Sequence, residues 1–116
     1  MTIAFLTENV KQPDIKKRNI SAWIKTVASS FGKTTGEIAY IFCNDDKILE
    51  INKSYLNHDY YTDIITFDYS EDDVISGDIF ISLDTVRTNS QKYNTNFQEE
   101  LHRVIIHGIL HLCGIG

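Results

Sequence analysis

At 116 residues the chain has room for one domain and one continuous core, so residues 1–116 are read as a single domain. With 42% apolar and 23% charged residues, one Pro and six Gly, it is neither low-complexity, collagen-like nor disordered. No apolar run approaches the roughly 20 residues of a bilayer-spanning helix, and a net charge of -5 argues against general adhesion to nucleic acid.

Ile3 to Leu6 reads as a short first strand; with no basic residue before it, it makes a poor signal peptide. Pro13-Asp14 reads as the start of a helix, since Pro suits the first turn and Asp opposes the dipole. Ile20, Trp23, Ile24, Val27 and Phe31 follow at helical spacing as its core stripe, and Gly32 closes the run. Residues 1–34 hold six basic groups against Glu8 and Asp14, whereas the remaining 82 residues hold five basic against fourteen acidic. That asymmetry makes the first helix, with Lys16, Lys17 and Arg18, either a surface that orients a polyanion or simply a Lys/Arg-coated amphipathic helix.

Glu37 to Cys43 is a second strand with apolar residues on both faces, as expected of an interior strand covered on both sides. Asn44 caps a helix whose core stripe is Ile48, Ile51 and Tyr55. Ile64–Tyr69 and Asp78–Ser82 are two more strands, joined by the acidic hairpin link Ser70-Glu71-Asp72-Asp73. Tyr60, Tyr61, Phe67 and Tyr69 either stack bases or build core. A polar helix runs from Asp84 to about Tyr93, and the last helix from Phe97 to Cys113, closed by Gly114. The order βαβαββαα gives an α+β fold with a small mixed sheet of about four strands packed with helices. Cys43 and Cys113 sit in apolar surroundings and suggest no disulfide, so a reducing cytoplasm is the expected location.

The last helix carries the chemistry. His107 and His111 stand one turn apart on one face, the spacing at which two imidazoles can share a metal ion. From Val104 onward the helix is apolar nearly all round and is expected to be buried. Two unpaired imidazoles there would cost about 1–3 kcal/mol each, which either a metal or separate hydrogen bonds would relieve. Gly108 occupies the place where a thermolysin-like zinc protease has its general-base Glu, which weakens a peptidase reading. A glycine there also lets another backbone approach closely. Cys113, about 200° round the helix from His111, and His102, about 140° from His107, point elsewhere.

The longer string His107-Gly108-Ile109-Leu110-His111-Leu112-Cys113-Gly114 resembles His-Gly-x-Leu-His-Leu-x-Gly, the signature of the YbeY family of metal-dependent endoribonucleases and ribosomal-RNA maturation factors. Thr62-Asp63-Ile64-Ile65-Thr66-Phe67 is similar to that family's Thr-(Asp/Asn)-Val-Leu-Ser-Phe strand. Gly77-Asp78-Ile79-Phe80-Ile81-Ser82 is similar to its Gly-Asp-Ile-x-Ile-Ser strand, and Asn52-Lys53-Ser54-Tyr55 to the helix end before them. The resemblance implies an α+β fold, one zinc ion near a cleft, and a zinc-dependent single-strand endoribonuclease acting in ribosomal RNA processing and ribosome quality control. It implies ribosomal RNA and the ribosome as partners, with no membrane association.

Carried over residue by residue, the resemblance makes His107 and His111 metal ligands. The family's third His lies ten residues after the first, at position 117, one past Gly116, so the sequence given holds two of the three ligands. His58, in the loop Asn57-His58-Asp59, is the remaining candidate for a third. Asp63 and Asp78, at two strand starts, are candidates to orient a ligand histidine or position water, or are turn carboxylates bonding backbone N–H groups. Leu56 stands where family members commonly place an Arg that lines the cleft; Lys53 and Arg87 are candidates to replace that cation. These departures keep a second function open: an RNA- or ribosome-associated binding module with a degenerate or truncated metal site.

Overall fold

The computed structural model describes residues 2–56 and 62–115; His58, Tyr60 and Tyr61 lie outside the described residues. The elements run β1 (Ile3–Thr7), α1 (Lys17–Ser30), β2 (Thr34–Cys43), α2 (Asp45–Tyr55), β3 (Ile64–Asp68), β4 (Val74–Ser82), α3 (Leu83–Lys92) and α4 (Phe97–Leu112). This is the expected α+β order.

The four strands form one mixed sheet in the order β1-β2-β4-β3, with β1/β2 and β2/β4 parallel and β3/β4 antiparallel. Alternation along β4 sorts the two faces. Ile75, Ile79 and Ile81 join the larger core with α1, α4 and the start of α3, while Phe80 packs with Ile48 and Ile51 of α2 on the other face. The acidic link is the expected hairpin turn: Glu71 and Val74 exchange backbone hydrogen bonds, and Asp72 takes a left-handed φ of 52°. Among the described residues no helix is long and apolar enough to cross a membrane.

Several local expectations change. The first helix begins at Lys17 rather than at Pro13-Asp14. The Asp14 carbonyl is instead taken by the side-chain N–H of Gln98 on α4 at 3.0 Å, and Ile15 packs against the core, so this stretch is laid along α4 before the helix starts. The buried stripe of α1 is Ile20, Ile24 and Ala28; Trp23 and Phe31 stay partly exposed, at 37% and 44%. Tyr55 is not core either: it is 73% exposed, at the end of α2. Strands β2 and β4 both begin earlier than the apolar pattern indicates. Their leading ends pair Thr34 with Val74 and Thr35 with Ile75, and the Lys33–Asp73 ion pair (3.6 Å) closes that end.

Side-chain caps start the later helices. Asn44 accepts from Lys47 N–H as expected. Ser82 accepts from Thr85 N–H and starts α3 one residue before Asp84, and Asn96 accepts from Glu99 N–H to start α4. Helix α4 is tied down at its middle. The buried Tyr40 hydroxyl of β2 donates to the Ile105 carbonyl at 2.7 Å, fixing the helix over the sheet two residues before His107. Such a bond is worth about 1 kcal/mol net, and more is lost if one partner is left alone.

Candidate metal and substrate cleft

The face of α4 that carries the histidines is not buried all round. Val104, Ile105, Gly108, Ile109 and Leu112 are buried, whereas Ile106, His107, Leu110 and His111 are half-buried. The apolar count of the sequence overstates the burial because the sheet covers one side of the helix and leaves the other open. Gly108 is what lets that covered side lie close. A Cβ there would stand 3.0 Å from two carbons of the Ile79 side chain and 3.2 Å from Ile64 Cδ1. The close approach is to side chains, not to another backbone. Gly77 of β4 leaves room on both sides, since a Cβ there would collide with the Phe67 carbonyl oxygen of β3 and stand 3.0 Å from Leu112 of α4.

The two imidazoles lie with ring centroids 4.4 Å apart, tilted by 64°. His111 Nδ1 is 3.1 Å from the Thr66 hydroxyl of β3. If Nδ1–H donates to that hydroxyl, the Nε2 lone pair is free for a cation. Burial lowers the His111 pKa, the neighbouring His107 lowers it further, and the negative charge of Asp63 opposes both. The net shift favours neutral imidazole, the form that binds metal.

His111 lines a cleft of about 380 Å³ whose walls are Asn52 and Leu56 of α2, Thr62, and Ile64, Ile65, Thr66 and Asp68 of β3. Its lining is therefore partly polar, with one carboxylate, while Leu56 adds an apolar wall where the family resemblance places an Arg. Arg87 does not fill that role: its guanidinium lies 5.1 Å over the Phe97 ring, between α3 and α4. Lys53 is on the exposed side of α2.

Asp63 lies near the pair, with its side chain 3.7 Å from the Arg103 guanidinium and its charge acting on His111. Asp78 does not. It faces the α2 side of the sheet, accepts a long 3.5 Å hydrogen bond from the Tyr69 hydroxyl, and lines a separate groove with Lys47, Tyr55 and Phe67. Phe67 is held edge-on between Tyr55 (5.8 Å) and Phe80 (6.0 Å), which makes it packing rather than a stacking platform. Cys113 packs against the core on the side of Lys33, and His102 bonds the Gln98 carbonyl next to Trp23, both away from the pair as their helical angles require.

Three residues that contact the pair, extend its stripe or grip that extension are not singled out by the sequence reading: Thr66, Glu100 and Arg103. Arg103 precedes His107 by four residues, so the stripe Arg103, His107, His111 was visible in the spacing. Glu100 is 2% exposed and grips Arg103 with two bonds of 3.0 and 2.6 Å.

The residues fit a metal ion only in part. Two adjacent imidazoles suit two positions of a zinc sphere, but among the described residues no group of three His, Cys, Asp or Glu side chains is gathered.

Fold and cleft together define an α+β protein with two adjacent histidines beside an open cleft. Residues 5–115 match the family described as Endoribonuclease YbeY. The chain is 66% identical over 115 residues to Endoribonuclease YbeY of Bacteroides thetaiotaomicron, covering 99% of this chain and 84% of that protein. It is 68% identical over 113 residues to the same-named protein of Phocaeicola vulgatus, covering 97% and 82%. The solution structure of TM1509 from Thermotoga maritima superposes with a TM-score of 0.68 at 30% identity, covering 97% of this chain and 73% of that one. The chain belongs to the YbeY endoribonuclease family, a family of nuclease hydrolases.

Proposed function

We propose that this chain is a zinc-dependent, single-strand endoribonuclease acting in ribosomal RNA processing and ribosome quality control, in the cytoplasm. The observation that carries this reading is the pair of adjacent imidazoles, His107 and His111, beside a cleft with Thr66 behind one ring. Two imidazoles are a donor set that suits zinc. His107 and His111 would hold the ion, the other positions being left to water, substrate or a ligand outside the described residues. Bound there, zinc supplies an acidified water and a Lewis acid for a phosphoryl oxygen.

The chain's own residues supply the positioning. Thr66 sets the orientation of the His111 ring, and Asp63 tempers the loss of basicity that burial and His107 impose on it. Asn52, Thr62 and Thr66 offer polar groups to a nucleotide in the cleft, and Leu56 offers an apolar wall to a base. Lys16, Lys17 and Arg18 are exposed at the start of α1, which shares a sheet face with α4, and would hold flanking phosphates.

The test is cleavage of fluorescent single-stranded RNA and of ribosomal RNA with added zinc, alongside the zinc content of the purified chain. Zinc-stimulated cleavage that disappears in His107→Ala is the expected result. Equal cleavage in that variant would assign the activity to a contaminant and remove the reading. Leu56 in the cleft wall favours a second reading, an RNA- or ribosome-associated binding module. RNA binding without zinc-stimulated cleavage is its signature.

A further inference from the structure

Among the described residues, those that line the cleft include a carboxylate and no Lys or Arg. Asp68 lines the cleft, the Asp63 charge acts on His111, and Leu56 makes part of the wall apolar. A polyanionic substrate needs a cation close to the bond that breaks. Arg103 is the guanidinium that contacts a residue of the site, through Asp63 at 3.7 Å. It stands one helical turn before His107, in the same stripe as both histidines, so the three side chains follow one another along α4.

The way Arg103 is held separates it from an ordinary surface arginine. The buried Glu100 carboxylate takes its Nε–H at 3.0 Å and its Nη2–H at 2.6 Å, a two-point grip that fixes the plane of the guanidinium. Nη1 carries no hydrogen bond to another described residue, and the side chain is half exposed. The Asp63 contact is longer than a hydrogen bond and is open to replacement by a phosphate oxygen. Orientation is thus set before substrate arrives, and the half-exposed guanidinium keeps Nη1 as a donor in reserve.

We propose that Arg103 is a phosphate-binding residue of the RNA site, taking a phosphate near the His107–His111 pair and supplying a cation to it. The proposal rests on the endoribonuclease reading above. The alternative role for Arg103 is purely structural, neutralising buried Glu100.

The experiment measures binding of a short, fluorescently labelled single-stranded RNA to the 116-residue chain in EDTA, as a function of salt. Arg103→Gln alone would strand a buried carboxylate, so the informative pair is Glu100→Gln against Glu100→Gln/Arg103→Gln, each checked for folding by circular dichroism. The expected result is a loss of about 0.7 in the slope of log affinity against log salt on removing Arg103, one single-strand phosphate contact. Weaker affinity and a raised KM for zinc-dependent cleavage accompany it. Equal slopes and affinities for the two folded variants would overturn the proposal and leave Arg103 structural. Absence of RNA binding and of cleavage by the unmodified chain would overturn the endoribonuclease reading itself, and this proposal with it.

Discussion

The Thr66 hydroxyl on β3 stands 3.1 Å from Nδ1 of His111 on α4, joining the sheet to the histidine pair. A hydroxyl in that position selects the tautomer of the ring and restrains its rotation. Thr66→Val keeps the shape and removes the partner. Zinc affinity should fall about 10–100-fold, the usual cost of losing such a support, while Thr66→Ser should retain most of it. Zinc titration against a competing chelator reads both. Equal affinities for Val and Ser would show that the hydroxyl does not support the ligand.

Gly108→Ala sets two effects against each other. Alanine in a helix interior gains about 1 kcal/mol over glycine. Here its Cβ meets two carbons of Ile79 at 3.0 Å and Ile64 at 3.2 Å, and overpacking a core costs about 1–3 kcal/mol. Both neighbours are isoleucines packed between sheet and helix, with little room to yield, so a net loss of about 1 kcal/mol is expected. It should appear as a lower urea midpoint with an unchanged m-value. The same displacement lifts the His107–His111 turn away from β3, so zinc affinity should fall with it; a stabilised variant with normal zinc binding contradicts both steps.

The fold was legible because its elements carry strong local signals: the continuous apolar run of β2, the Asn44 cap of α2, and the acidic hairpin link. What failed were the places where a tertiary contact overrides local preference. Pro13-Asp14 has the residues of a helix start, but Gln98, distant in sequence, claims the Asp14 carbonyl. Tyr55 lies on the apolar period of α2, yet as the last residue of that helix it meets the sheet only through the edge of Phe67 and stays 73% exposed. In the site, the histidine pair was readable from an i,i+4 spacing. Thr66 was not, because its role depends on how β3 and α4 cross. Asp63 and Asp78 look equivalent as strand-start carboxylates; only strand pairing and face alternation put Asp63 beside the pair and Asp78 on the opposite face.

Charge reversal of Lys16, Lys17 and Arg18 tests the basic surface. All three are exposed at the start of α1, so the substitutions should not disturb the core. The triple change to Glu should weaken RNA binding by about tenfold or more at low salt and flatten the salt dependence, since each lost phosphate contact removes about 0.7 from the slope. Cleavage of a very short RNA that reaches only the cleft should change far less. An unchanged affinity together with an unchanged slope would reduce this helix to a solvated face.

Cys43 offers a pH test of the second core cluster. Its side chain is 0% exposed, packed on the α2 side with Ile48 and Ile51, and its thiol donates to the Ile81 carbonyl at 3.5 Å. Burial, followed by the charge of Glu8, pushes the thiol from an ordinary value of 9.0 up to about 12. The folded state therefore keeps a proton that the unfolded chain releases above pH 9. Stability supplied by this group is complete below the unfolded pKa and is lost as pH rises toward the folded one, by at most about 1.4 kcal/mol per pH unit. The Tyr40 hydroxyl, also raised by burial, adds a loss of the same sign at still higher pH. Comparison with Cys43→Ala between pH 8 and about 10 isolates the thiol, because the loss from Tyr40 begins near its unfolded pKa of about 10 and is common to both chains. Urea unfolding of the unmodified chain should lose stability faster over that range than the alanine variant does, even though the variant starts lower. Parallel curves would mean that the Cys43 thiol ionises in the folded protein as readily as in the unfolded chain, and that the cluster under α2 is open to water.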